Sequence, residues 1–252
     1  MSVGGLTRKV LGYVGAMIAL LAGWWVLALL VNSPALPSPT VAVPTFIAQW
    51  PQIWPHILIS AARVLGAMVI GTLLAVPLGL WLGRAPRADA VAAPLIFLTY
   101  PIPKVVFLPV LFILLGIANA PKIVLIAIIV FFQILVTARD ASKAVPEPSV
   151  LSVRSLGASR FDIYRHVVIP ASLPDIFTAL RIGTGTAIAV LFLAETTAGS
   201  DGVGWYISDA WARIDYPAMF AGILAMALLG VVLYEGLDAL ENAMTRWRKA
   251  GR

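Results

Sequence analysis

Few side chains in this sequence could do chemistry. There is no cysteine, so neither a disulfide framework nor thiolate chemistry is available. The two histidines, His56 and His166, fall in different segments, one Pro-rich and one polar, and cannot jointly hold a metal or haem at mid-membrane. No Ser/His/Asp set, no zinc-spaced cluster and no G-x-x-x-x-G-K-[ST] phosphate loop is present. What remains is three charges set inside long apolar runs: Arg63, Lys104 and Glu195. A charge near a bilayer centre costs at least about 2.5–3.5 kcal/mol on insertion scales, so each needs a partner, water or a route outward. Arg63 lies about two turns into its run, close enough to an end to snorkel outward, and Glu195 is near enough to an end to be interfacial. Lys104 is deeper and follows a Pro101-x-Pro103 break. Two readings stand for it. Lys104, Tyr100 and Glu195 border a translocation pathway, with Lys104 and Glu195 as candidate partners, or the pair is structural and touches no solute.

A second chemistry-bearing stretch is polar and runs from Ser149 to Pro170. Gly157 can take the left-handed conformation that ends a helix. Ser159 and Asp162 have N-cap spacing for a new one. Pro170 and Pro174 are expected to stop it. The resulting helix, roughly 160 to 168, carries Phe161, Tyr164 and Val168 on one stripe and is only about 12 Å long. So short a helix is marginal alone in water and must dock, either on its own membrane domain or on another protein.

The elements that position these residues are membrane spans. Of 252 residues, 60% are hydrophobic and 12% charged, about half the charged share of a soluble domain. Continuous apolar runs, rather than alternating ten-residue segments, exclude a β-barrel and predict an all-α polytopic membrane protein. The net charge of +6 reads as cationic loops on one side of a bilayer, not as a nucleic-acid surface.

Six spans are expected, near 10–31, 57–82, 91–116 (broken at Pro101 and Pro103), 123–137, 179–197 and 219–234. Residues 1–56 form the first helix and a Pro-rich outer linker. Residues 57–238 form the core, with a cytoplasmic loop at 139–178, and 239–252 form a basic tail. Residues 199–211, rich in glycine and aromatics, suit a short re-entrant or interfacial helix. Of the 18 Lys and Arg, Lys122 and Arg213 fall in outer segments and Arg63 and Lys104 within spans; the rest fall in the loops and tails assigned to one side. This asymmetry places both termini, and the Gly157 loop, in the cytoplasm.

The polar loop resembles the cytoplasmic loop of ATP-binding-cassette importer permeases, whose pattern is E-A-A, three residues, Gly, nine residues, Ile-x-Leu-Pro. The glycine falls on Gly157 and the closing residues on Val167, Ile169 and Pro170. The opening triplet is Leu151-Ser152-Val153, a departure from the pattern. Other pieces are similar to the nitrate, sulfonate and taurine permease group. They are Ser60-Ala-Ala-Arg63-Val-Leu-Gly66, Tyr100-Pro-Ile-Pro103-Lys104, Leu180-Arg181-Ile182, Ala194-Glu195 and Gly202-Val-Gly204-Trp205.

The resemblance implies the type I importer (MetI-like) permease fold. It implies a homodimer in a bacterial or archaeal inner membrane, with an ATPase dimer below and a solute-binding protein above. It also implies a small, anionic solute of the nitrate, sulfonate or taurine kind. The chain would be a transport subunit, not an enzyme, without a cofactor of its own; ATP and Mg would be bound by the partner ATPase. Gly157, Ala158, Ser159, Arg160, Phe161, Ile163, Tyr164 and Pro170 would form the ATPase-coupling segment, with Phe161 and Tyr164 as anchors. The alternative is a secondary transporter driven by an ion gradient, which a broken span would also suit.

Overall fold

The computed structural model describes residues 3–245; residues 246–252, most of the expected basic tail, lie outside them. The described residues form helices and no strand. In chain order these are α1 Val3–Val31, α2 Pro39–Ala48, α3 Trp50–Arg84, α4 Pro86–Thr99, a 3₁₀ turn Lys104–Phe107, α5 Leu108–Leu115, α6 Asn119–Ala144, α7 Glu147–Ser155, α8 Arg160–Ile163, a π turn Tyr164–Val168, α9 Ile169–Thr197, α10 Val203–Ala212 and α11 Tyr216–Met244. Five helical runs are long and apolar enough to cross a membrane, and six if α4 and α5 count as one span bent by 79°. The expected count and the break after Pro101 are both present.

The Pro-rich linker is a correction. Most of residues 39–56 is helical, because Pro39 sits in the first turn of α2 and Pro51 in the first turn of α3. There the missing N–H has no intrahelical partner to lose, and the fixed φ favours the helix. Pro44 and Pro55 lie inside helices.

The core is built by α3, α6 and α9, with Val64, Leu125, Ile126, Val130, Ile134 and Leu191 buried between them. The α3–α6 seam is unusually close. A Cβ at Gly79 would lie 2.7 Å from the Leu135 carbonyl oxygen, and one at Gly71 would lie 3.1 Å from that of Ala127. Small residues let helix backbones approach where lipid offers no hydrophobic drive. Ion pairs fasten the ends assigned to the cytoplasm. Asp89 of α4 accepts from Arg139 (2.9 Å) and Lys143 (2.6 Å) of α6. Arg84 of α3 meets Glu147 of α7 at 2.9 Å, and Arg181 of α9 meets Asp238 and Glu241 of α11 at 3.1 and 2.9 Å. α1 stands apart. Only 6% of its span window is buried, and Trp24 stacks on Phe220 with ring centroids 5.4 Å apart.

Candidate functional site

Two polar regions lie at opposite ends of one helical run. At the inner end, α7 closes on Gly157, which adopts φ +85 as expected of a residue ending a helix. The next helix opens with a capping box. The Ser159 side chain accepts from the Asp162 N–H at 3.2 Å, and the Asp162 carboxylate accepts from the Ser159 N–H at 3.0 Å. The predicted helix start is therefore present in full. The predicted stop is not. α8, the π turn and α9 run on without interruption from Arg160 to Thr197, through both Pro170 and Pro174. The π turn explains the passage through Pro170. The Ile169 N–H reaches back five residues to the Tyr164 carbonyl, widening the helix ahead of Pro170. Pro170 then falls in the first turn after the π turn, with room for its ring.

The same turn breaks the expected aromatic stripe, because residues beyond it are rotated relative to those before. Phe161 is 69% exposed, whereas Val168 is fully buried and Tyr164 packs against the chain's own core. Ile163 is likewise buried in that core, and Ala158 packs on it. The exposed large apolar side chains of the segment are Leu151, Leu156, Phe161 and, at its far end, Ile169, with Arg160 exposed beside Phe161.

At the outer end, the expectation that Arg63 snorkels is overturned: it is 2% exposed, and Glu195, two residues from the end of α9, is completely buried within the protein. They pair with each other at 2.7 Å. The Arg63 guanidinium also donates to Asn119 Oδ1 at 2.6 and 2.8 Å, to the Asp201 carbonyl at 3.2 Å and to the Asp201 carboxylate. The Glu195 carboxylate further accepts from the Ser60 hydroxyl at 2.8 Å and the Gly204 N–H at 2.8 Å. Ser60 Oγ in turn accepts from the Val203 N–H at 2.9 Å, and His56 Nδ1 accepts from the Gly202 N–H at 3.1 Å.

Glycine is required around the carboxylate. A methyl at Gly202, whose φ is +96, would run into it, and one at Gly204 would lie 2.8 Å from Glu195 Cβ. Lys122, expected in an outer loop, is in the first turn of α6 and is buried, its ammonium against Gly199. Sequence reasoning missed Ser60, Asn119, Asp201, Gly202 and Gly204 as one cluster. The available signal was Ser60 and Arg63 on one helical face, and a Gly-Ser-Asp-Gly-Val-Gly turn after Glu195.

Lys104 is not paired with Glu195. Its ammonium donates to the Thr99 and Tyr100 carbonyl oxygens at 2.9 and 2.5 Å and lies over the Tyr100 and Phe132 rings, 5.2 and 4.8 Å from their centroids. The reason is local. The Pro101-x-Pro103 break leaves carbonyls at the end of α4 without helical donors, and a cation five residues on satisfies them. Tyr100 is half exposed beside an open cleft of about 400 Å³ that Phe97, Pro101, Val136 and Arg139 also line. Among the described residues no cluster of His, Cys, Asp or Glu could hold a metal.

Comparison with known proteins agrees with this architecture. Residues 75–246 match the family described as "Binding-protein-dependent transport system inner membrane component". The taurine transport system permease protein TauC of Escherichia coli (strain K12) is 31% identical over 96% of this chain and 91% of that protein. The putative aliphatic sulfonates transport permease protein SsuC of Bacillus subtilis is 26% identical over 96% of this chain and 91% of its own length. The riboflavin transport system permease protein RibX of Chloroflexus aurantiacus is 28% identical over 94% and 90%. In fold, the chain is similar to the MetNI methionine ABC transporter in an inward-facing form. The TM-score is 0.64 at 17% identity, over 77% of this chain and 98% of that one. Sequence, fold and helix count thus converge: this chain belongs to the family of inner-membrane components of binding-protein-dependent transport systems, as the permease subunit of an ATP-binding-cassette importer.

Proposed function

We propose that this permease imports a small anionic solute as a homodimer. Residues 157–161, with Leu156, meet a separate ATPase on the cytoplasmic side. The observation that carries the reading is Phe161. A large apolar side chain, 69% exposed, sits at the tip of a capped helix start on a polar loop. Among the described residues nothing covers it, and buried aromatics are frequent anchors where two proteins meet. Gly157 sets the turn and the Ser159–Asp162 box fixes the direction of the helix. Ile163 and Tyr164 hold the segment from beneath, and Pro170 shapes its base. ATP and Mg belong to the partner, since this chain has no phosphate loop. Nucleotide drives transport only through different affinities for inward-facing and outward-facing states.

The anionic class is supported by the names of the taurine and sulfonate relatives and by the cation at the helix break. Lys104 and Tyr100 border the pathway in this reading, and Glu195, fully buried and bonded, does not. Irregular backbone and a charged ammonium do not face lipid, so in this reading the break lies against the second copy or lines the pathway. The test is ATP-driven uptake in proteoliposomes holding permease, ATPase and binding protein. Phe161→Ala is expected to reduce uptake and stimulated ATP hydrolysis together. Uptake that survives ATP depletion and stops with an uncoupler would contradict the reading in favour of an ion gradient. Lys104→Ala is expected to lower uptake; normal transport by that variant would remove Lys104 from the pathway.

A further inference from the structure

The chain has two histidines, and the atoms facing them set opposite rules for a proton. On the side assigned to the cytoplasm, His166 Nδ1 lies 3.1 Å from the Asp162 carbonyl oxygen. That oxygen can only accept, so Nδ1 donates, and a charged ring donates there as well as a neutral one. On the outer side, His56 Nδ1 lies 3.1 Å from the Gly202 nitrogen. A backbone N–H can only donate, so Nδ1 offers a lone pair and the ring is neutral in this geometry. A proton on Nδ1 would set donor against donor and end the bond.

The outer turn depends on that bond. Gly202 is buried, holds φ +96 and lies where a methyl group would run into the Glu195 carboxylate. The next two residues complete the same turn. The Val203 N–H donates to Ser60 at 2.9 Å and the Gly204 N–H to Glu195 at 2.8 Å. His56 and Ser60 are one turn apart on α3. Successive N–H groups of the turn are therefore received by His56, Ser60 and Glu195. A buried N–H that loses its acceptor is costly.

The ring is placed to meet protons from outside. His56 is only partly buried and lies near the outer end of α3. It packs against Trp205 and Tyr206 of α10, with ring centroids 5.2 and 5.8 Å away. Two carboxylates act on it electrostatically, Asp201 in the loop before α10 and Asp209 on α10. Asp209 also meets Arg213 at 3.0 Å. Behind Gly202 stand the paired Arg63 of α3 and Glu195 of α9, and Lys122 of α6 against Gly199. A protonated ring would thus have carboxylates to turn to. One of them, Asp201, now receives Arg63, and a cation at His56 would compete for it.

We propose that His56 is a positioning residue that reads the pH of the outer side. Neutral, it fixes the Gly202 turn over Glu195 and keeps segment 199–212 in place. Protonated, it lets go of Gly202, the segment loosens, and uptake falls. His166 gives the cytoplasmic side no matching response, so the sensitivity is one-sided. A histidine ordinarily titrates near about pH 6.5, so the bond is intact well above that value and lost as the outer pH falls below it.

His56→Asn tests this. Asn Oδ1 stands as many bonds from the backbone as Nδ1, can accept from the same N–H and does not titrate. Uptake is measured in proteoliposomes with the ATPase and ATP inside and the binding protein outside. The bath is set to about pH 7.5 or about pH 5 with the lumen at about pH 7.5, and the two are then exchanged. Wild-type uptake is expected to fall roughly 5-fold or more when the bath is acidified, and that of His56→Asn less than about 2-fold. Acidifying the lumen is expected to affect both proteins alike. An equal fall in both proteins on acidifying the bath would overturn the proposal and move the response to the carboxylates or to the binding protein.

A second measurement needs no transport. The chain has no native cysteine, so Ser200→Cys, exposed in the loop, carries a single spin label. In purified permease the label is expected to gain mobility between about pH 7.5 and about pH 5 when His56 is present, and to keep its mobility in His56→Asn. No gain of mobility with His56 present would overturn the proposal even where uptake depends on pH. Where His56→Asn does not accumulate, His56→Gln supplies the acceptor on a longer arm. Uptake absent at every pH, with the label still responding, would sink the importer reading and leave the pH-sensing turn standing.

Discussion

The two ends of the Arg160–Thr197 run are built by opposite rules. At the outer end, Glu195 and Arg63 are matched within the chain: Glu195 takes three donors, and Arg63 is engaged by Glu195, Asn119 and Asp201. At the inner end, the backbone is satisfied by caps while Leu156 and Phe161 remain exposed at 86% and 69%. A buried charge costs several kcal/mol unless paired, so the outer cluster must be complete before the chain meets any partner. An exposed aromatic carries no such penalty and is free to be covered later. The outer end therefore belongs to the fold, and the inner end is shaped for something outside it.

That contrast can be broken by substitution, and the largest effect is expected at the outer end. Arg63→Met leaves Glu195 as an uncompensated buried carboxylate. A loss of about 3–5 kcal/mol is expected, seen as a lower thermal midpoint in detergent and loss of assembled complex. Adding Glu195→Gln should recover part of it, because the orphaned charge is then gone; no recovery would mean that the pair is not the source of the cost.

Smaller effects are expected at the inner end. Gly157→Ala meets open space, since nothing lies within 4 Å of a Cβ there. The cost is then the left-handed backbone alone, about 1–2 kcal/mol, confined to the loop and measurable as faster amide exchange over residues 147–163. Ser159→Ala removes one half of the capping box and should cost about 1 kcal/mol locally, again read by exchange, with the thermal midpoint of the whole protein unmoved. If either variant unfolds the bundle, the inner end is part of the core and the contrast fails.

Much of this was legible in the sequence because the signals are local. The spans follow from long apolar runs, and the break in the third follows from two prolines a residue apart. The Gly157 turn and the Ser159–Asp162 cap follow from spacings of a few residues. Prolines misled in two places for one reason: their effect depends on position. Pro39 and Pro51 start helices instead of breaking a linker, Pro170 falls in the first turn after the π turn, and Pro174 is carried inside α9. The outer cluster was not legible as a cluster. Its members come from α3, α6 and α9, from the loop before α10 and from the first turn of α10, and only packing brings them together. Arg63 and Glu195 were each noticed as misplaced charges, but sequence gives no direction to a side chain. Lys104 was drawn toward Glu195 by charge alone, whereas the unfilled carbonyls of its own broken helix were nearer.

The central claim is that the inner segment is a contact for a separate ATPase rather than a piece of this bundle. The measurement that tests it most directly is titration of the purified ATPase onto nanodisc-embedded permease, comparing wild type with Phe161→Ala. The account predicts an unchanged thermal midpoint for the permease and a Kd weaker by roughly 30-fold or more, the equivalent of about 2 kcal/mol at an anchor residue. Equal affinity of the two proteins for the ATPase would contradict it.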